Sequence, residues 1–247
     1  MSEIVVALPA YNEAARLEQL LDRIRTQLAG KPYRIVVVDD GSRDGTADIL
    51  RRRSQDLPLV VVTHAVNAGL AQTLHDGMRW VAEHCQDDDI VITMDADDTH
   101  DPVYIDALVQ RIAAGNDVVI ASRFQPGAEV HGVPWHRQLY SWGVLVLLRL
   151  LLPIRGVRDY ACGYRAIRAR LIRAAVERYG DNLFELRQWG FICTAELLWK
   201  LHSVGARCSE VPFSLRYDLK QSVSRMRVGR TIAGYGLLIW NGRIRRR

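Results

Sequence analysis

Hydrophobic and polar positions alternate in blocks over the first half of the chain. Short apolar runs at Glu3–Leu8, Arg34–Val38, Leu59–Thr63, Ile90–Met94 and Asp117–Ala121 are rich in Val and Ile. Runs of that length and composition predict strands buried on both faces. Between them lie segments of helical period. Leu17, Leu20, Leu21, Ile24 and Leu28 form one such row before Gly30 and Pro32 stop it, and Ala47–Arg53, Asn67–Glu83 and Val103–Ala114 follow. Strand–helix alternation of this kind predicts a mainly parallel sheet with right-handed crossovers. Beyond Ala121 the pattern changes. Gln125–Trp135 reads as a loop, and Leu139–Leu152 is apolar on nearly every side, which suits a buried or interfacial helix too short to cross a bilayer. Asp159–Arg165 reads as a polar turn before a helix, Phe191–Ser203 as a helix, Cys208–Leu215 as a late strand, and Thr231–Trp240 as a short apolar stretch.

Polar residues collect where the strands end. Pro9-Ala-Tyr-Asn-Glu13 follows the first strand, with Asn12 placed to cap the next helix. Asp39-Asp40-Gly-Ser-Arg-Asp-Gly-Thr46 follows the second, with Ser42 or Asp44 as a cap, and Asp95-Ala-Asp-Asp-Thr-His-Asp101 follows the fourth. Ligands of parallel α/β sheets bind beyond the carboxyl ends of strands. Carboxylates there suit Mg²⁺ or Mn²⁺, which keep waters and take oxygens from a substrate phosphate. The chain has neither G-x-G-x-x-G nor G-x-x-x-x-G-K-[ST], so the dinucleotide and P-loop readings are poor.

Bulk numbers add two constraints. At 247 residues, 49% hydrophobic and 25% charged, the chain is expected to be one globular domain. Cys85, Cys162, Cys193 and Cys208 show neither C-x-x-C pairing nor zinc spacing, which fits free thiols in a reducing cytoplasm. No signal-like N-terminus and no long uncharged apolar window is present. The net charge of +5 is uneven: eight Lys and Arg and no acid follow Asp218, so residues 1–218 carry −3. A basic end suits an anionic membrane surface or nucleic acid.

Taken in order, Pro9-Ala-Tyr-Asn-Glu13, Asp39-Asp40-Gly-Ser-x-Asp-Gly-Thr46, Met94-Asp-Ala-Asp97, Ser122-Arg123 and Cys162-Gly-Tyr-Arg165 resemble the inverting glycosyltransferases of the GT-A fold. Within that family they look most like dolichol-phosphate mannose synthases and bacterial polyprenyl-phosphate glycosyltransferases. The resemblance covers roughly residues 4–226. It implies an α/β GT-A fold in a single domain over 1–247, with a nucleotide-sugar half (1–121), an acceptor half (122–226) and a basic amphipathic tail (227–247). By the same resemblance, Pro9, Tyr11, Glu13, Asp39 and Asp40 hold the nucleoside, and Ala96 lies near the ribose. Asp95 and Asp97 bind Mg²⁺ or Mn²⁺ on the diphosphate. Thr99 stands where relatives often carry Gln and supplies a weaker metal contact or one through water. Arg123, Arg137 and Ser141 match acceptor-phosphate contacts, and Lys220, Ser224 and Arg225 fall in a segment resembling a mobile acceptor loop. That loop departs from the usual pattern, reading Ser222-Val-Ser-Arg.

The expected reaction moves a hexose from GDP-mannose or UDP-glucose to a polyprenyl phosphate, with Asp97, Arg123 and Arg137 carrying the chemistry. The expected setting is peripheral at the cytoplasmic face of a membrane, with no nucleic-acid partner. A sugar hydroxyl acceptor would need a carboxylate base, for which Asp98 and Asp159 are the candidates. A non-catalytic scaffold that binds nucleotide sugar is the rival from another class. A nucleotidyltransferase is opposed by the missing Gly-rich phosphate loop.

Overall fold

The computed structural model describes residues 2–189, 191–219 and 228–244. The predicted alternation forms β1 (Ile4–Ala10), α1 (Ala14–Gln27), β2 (Tyr33–Asp39), α2 (Thr46–Arg53), β3 (Leu59–Thr63), α3 (Leu70–His84), β4 (Ile90–Thr93), α4 (Ile105–Ala113) and β5 (Val118–Ser122). The chain continues as β6 (Glu129–His131), α5 (Trp135–Leu151), β7 (Arg165–Arg168), α6 (Ala169–Tyr179), α7 (Cys193–Ser203), β8 (Cys208–Pro212), β9 (Ser214–Arg216) and α8 (Val228–Ile244). Seven strands make one sheet in the order β3-β2-β1-β4-β7-β5-β8. All its neighbours pair in parallel except β7, which runs antiparallel between β4 and β5. Strands β6 and β9 form a separate parallel pair. The Val and Ile side chains of β1, β2, β4 and β5 are buried, as strands covered by helices on both faces require. Register sets the site, because Ala10 lies opposite Asp39 and Ala7 opposite Thr93. The three polar loops therefore leave the same edge of the sheet.

Three expectations change, and of the two readings of α5 full burial is set aside. The turn at 159–165 does not lead straight into a helix, since Arg165–Arg168 forms β7 first. Four residues with an arginine at each end give no apolar run, yet Arg165 is buried, with its guanidinium donating to Thr194 O and Tyr160 O. Cys208–Leu215 is not one strand but two, which belong to different sheets. Helix α5 does not bury all sides: Val144, Leu145 and Leu148 face the core, while Trp135, Leu139, Trp142, Val146 and Leu150 are exposed. Those exposed positions recur every three or four residues and so make one stripe. Finally, α8 docks on the body. Tyr235 is buried, and Gly234 packs against Trp189 and Ile192, whereas Trp240 stays exposed. Of the expected basic tail, residues 227 and 245–247 lie outside the described residues.

Candidate active site

The loops after β1 and β2 are sewn together. Asn12 does not cap α1; it has a left-handed φ of 57°, and its Oδ1 accepts from Arg43 N. The amides at the start of α1 are satisfied from across the gap, Glu13 N donating to Thr46 Oγ1 and Ala14 N to Asp44 Oδ2. Asp44 also accepts from Thr46 N and Oγ1 at the start of α2. This arrangement holds Pro9, Tyr11 and Glu13 on one side and Asp39 on the other. Asp39 is buried, with Oδ1 accepting Ser42 N at 3.1 Å.

Asp40 has a different task from the expected nucleoside contact. Its carboxylate accepts from His64 Nδ1, Asn67 Nδ2 and the amides of Ala68 and Gly69, all between 2.7 and 2.9 Å. Both oxygens are engaged in fixing the approach to α3. On its other side His64 meets Asp76 Oδ2 at 3.0 Å. Gly41 needs its bare backbone here, since a Cβ would stand 2.9 Å from the Val66 carbonyl carbon.

After β4, Asp95 projects to a half-exposed position while Asp97, Asp98, Thr99 and His100 are buried. Thr99 N and Oγ1 both donate to Asp97 Oδ1, at 3.2 and 2.6 Å, so the threonine orients that carboxylate. Asp98 turns with φ 61° and pairs with Arg23 of α1 at 2.6 Å. Burial lifts its carboxyl above the usual range, against the pull of Arg23. His100 was not expected in the site. Its Nδ1 accepts Asp95 N at 3.0 Å, so the ring proton sits on Nε2, 3.9 Å from Asp95 Oδ2. Ala96 is buried beside these groups in the chain.

The Cys162-Gly-Tyr-Arg165 motif packs on this loop. Thr93 Oγ1 donates to Gly163 O, and a Cβ on Gly163 would lie 3.7 Å from Asp95 Oδ1. Among the described residues no three His, Cys, Asp or Glu side chains converge to enclose a metal ion. Two carboxylates, one of them solvent-facing beside a glycine, fit Mg²⁺ or Mn²⁺, which commonly takes its other ligands from water and phosphate.

The arginines lie at the end of β5 and on α5. Arg123 gives Nε and Nη2 to Asp159 at 2.7 and 2.8 Å, while Nη1 makes no hydrogen bond to a described residue. Asp159 also accepts the amides of Arg123, Ala161 and Cys162. Burial alone would raise the Asp159 carboxyl, but the Arg123 charge and these hydrogen bonds outweigh it and hold it below the usual range. Both carboxylates are thus engaged by arginines, Asp98 by Arg23 and Asp159 by Arg123. The guanidinium of Arg123 borders a water-sized cavity of about 30 Å³, lined also by Tyr140, Ser141 and Tyr235. Arg137, one helical turn before Ser141, donates from Nη1 to Tyr217 Oη at 2.7 Å. Lys220, Ser224 and Arg225 lie outside the described residues.

Residues 5–175 match the family model described as "Glycosyl transferase family 2". The chain is 32% identical to a dolichol-phosphate mannosyltransferase of Pyrococcus furiosus, over 99% of this chain and 66% of that protein. It is 31% identical to an undecaprenyl-phosphate mannosyltransferase of Micrococcus luteus, over 85% of this chain and 82% of the relative. Among solved structures, it superposes on glucosyl-3-phosphoglycerate synthase from Mycobacterium tuberculosis in complex with Mn²⁺, UDP-glucose and phosphoglyceric acid. The TM-score is 0.66 at 21% identity, over 97% of this chain and 80% of that one. This likeness shows the fold.

Proposed function

Because the chain belongs to glycosyl transferase family 2, we propose that it transfers a hexose, mannose or glucose, from a nucleoside diphosphate sugar to a polyprenyl phosphate, with a divalent metal. The observation that carries the acceptor is the exposed stripe of α5. Trp135, Leu139, Trp142, Val146 and Leu150 stand in water on the same helix that bears Arg137 and Ser141. Apolar rows on an amphipathic helix, with Trp at the boundary, suit the surface layer of a bilayer. Among the described residues no helix is long and apolar enough to cross a membrane. We therefore set α5 against the cytoplasmic leaflet, peripherally, with the acceptor phosphate arriving from the lipid side. The names of the Pyrococcus and Micrococcus relatives support the same acceptor class.

On this reading Pro9, Tyr11, Glu13 and Asp39 bind the nucleoside, and Asp95 and Asp97 hold Mg²⁺ or Mn²⁺ against the diphosphate. When bound, the ion supplies charge neutralisation of the departing diphosphate. A phosphate monoester is already anionic near neutral pH, so its oxygen attacks C1 without a general base while the C1–O bond to the diphosphate breaks with inversion. What the acceptor needs is orientation. Asp159 locks Arg123 at a fixed angle, and Arg137 and Ser141 complete the set from α5. The engagement of both Asp98 and Asp159 speaks against a sugar hydroxyl as acceptor.

The test is to incubate the purified protein with Mn²⁺, a polyprenyl phosphate and either GDP-mannose or UDP-glucose. The expected outcome is a glycosyl phospholipid and free nucleoside diphosphate with one donor. Transfer only to free sugars, or tight donor binding with no turnover, would overturn the reading. Replacing both Trp142 and Leu139 with Asp should abolish sedimentation with anionic vesicles while leaving donor binding intact.

A further inference from the structure

We propose that Arg23 is the positioning residue that holds both metal carboxylates, Asp95 and Asp97, in place from outside the site; this rests on the metal reading given above. Helix α1 buries Leu17, Leu20, Leu21 and Ile24, leaving Arg23 about one-third exposed on the wall of an open groove. Its guanidinium spans two acids of the 95–101 loop. Nη1 lies 2.6 Å from Asp98 Oδ1 and Nη2 lies 2.6 Å from Asp101 Oδ2. A planar fork serves two carboxylates at once, which a lysine point charge does not.

Each contact controls one metal carboxylate. Asp98 is one of two non-glycine residues with positive φ among the described residues. A side chain in that region persists only where its surroundings hold it, and here the ion pair of the buried Asp98 carboxylate with Arg23 does so. The reversal at Asp98 brings Thr99 back, so that its amide and hydroxyl both meet Asp97 Oδ1. Without the left-handed turn, Thr99 N would point elsewhere and Asp97 would lose its orientation. At the other end, Asp101 accepts Val103 N through Oδ1 and the Tyr164 hydroxyl through its carbonyl. The Tyr164 ring stacks on His100 at 5.2 Å, and His100 Nδ1 takes the amide of Asp95. One guanidinium thus fixes Asp97 through Asp98 and Thr99, and Asp95 through Asp101, Tyr164 and His100.

The experiment uses the full chain with Arg23→Met, Asp98→Asn, the double variant and Arg23→Lys. Mn²⁺ affinity is read from the paramagnetic resonance of free Mn²⁺ at saturating GDP or UDP. Arg23→Met and Asp98→Asn should each weaken Mn²⁺ binding by on the order of tenfold or more, as loss of an outer support to a metal ligand does. The double variant should be no weaker than Arg23→Met, since that variant already removes the contact through which Asp98 acts, and Arg23→Lys should fall between. Hydrogen exchange should quicken in 95–101 and not in β1 or β2. Mn²⁺ affinity within twofold of the parent in Arg23→Met, with unchanged exchange in 95–101, overturns the proposal. If the parent protein itself takes up no Mn²⁺, the metal reading is what fails. The exchange of 95–101 in Arg23→Met then decides: faster exchange upholds the strap, and unchanged exchange removes it.

Discussion

The acidic loops after β2 and β4 look alike in composition and divide their labour in the same way. In the first, Asp40 and Asp44 are engaged with protein: Asp40 with His64, Asn67 and two amides, Asp44 with Ala14 and Thr46. Asp39 stays at the strand end with the Ser42 amide. In the second, Asp98 and Asp101 are engaged with Arg23, and Asp95 and Asp97 stand before them. The loops differ in where the anchor comes from. The first is tied by neighbouring loops of the same sheet edge, the second by a cation on a helix 75 residues earlier. Counting carboxylates therefore overstates a site. On the proposed reading, Asp40, Asp44, Asp98 and Asp101 hold the chain through partners outside their own loops, and Asp39, Asp95 and Asp97 meet the ligand.

The contrast can be broken most sharply at Asp97. Asp97→Asn should lower turnover by on the order of a hundredfold or more while leaving the melting temperature unchanged, because a charged ligand to the ion is lost. An unimpaired variant, or full activity in EDTA, would erase the distinction between the loops. Next comes Asp40. Asp40→Ala strands His64 and the amides of Ala68 and Gly69, and should cost about 3 kcal/mol in a urea melt; a loss no larger than that of Asp39→Ala would show that the two neighbours share one role. Asp39→Ala should instead weaken GDP or UDP binding by roughly 1–3 kcal/mol, measured by calorimetry. The smallest effect is acid sensitivity. Burial raises the Asp44 carboxyl, but its hydrogen bonds to Thr46 and Ala14 outweigh this and keep it below its ordinary value. Its folded-state value lies below its unfolded one, so its contribution is present above about pH 4 and disappears as pH falls through the folded value. Asp44→Asn should flatten that acid limb of the melting-temperature profile, and an unchanged limb would place the titration elsewhere.

Much of this was legible in the sequence for a local reason. The strands β1, β2, β4 and β5 announce themselves as Val and Ile runs, and their order places Asp39, Asp95 and Asp97 at one edge. What engages each acid was not legible, because Arg23 and His64 lie 75 and 24 residues from Asp98 and Asp40 and have no motif of their own. The same applies to Asp159, a base candidate on paper and the partner of Arg123 in the fold. Strand β7 escaped because its burial includes an arginine whose two terminal nitrogens donate to Thr194 O and Tyr160 O, rather than an apolar run. The docking of α8 was not legible either, because an apolar stretch followed by arginines reads the same whether or not it packs on a body, and only the fold shows Tyr235 buried.

The antiparallel strand in mid-sheet has a consequence for how the chain is made. β5 is hydrogen-bonded to β7 and β8, and neither exists when residue 122 leaves the ribosome. A nascent chain up to that point can assemble β3-β2-β1-β4, but β4 presents an open apolar edge and Val118–Ser122 has nowhere to dock. Open edges recruit other chains, and pairings that wait for distant sequence slow folding and lengthen that exposure. Synthesis through Arg165–Arg168 closes the gap from both sides at once, and the family match ends at residue 175, seven residues further on. A chain stopped at residue 160 should therefore aggregate as it is synthesised, whereas one carried past β8 can complete the sheet.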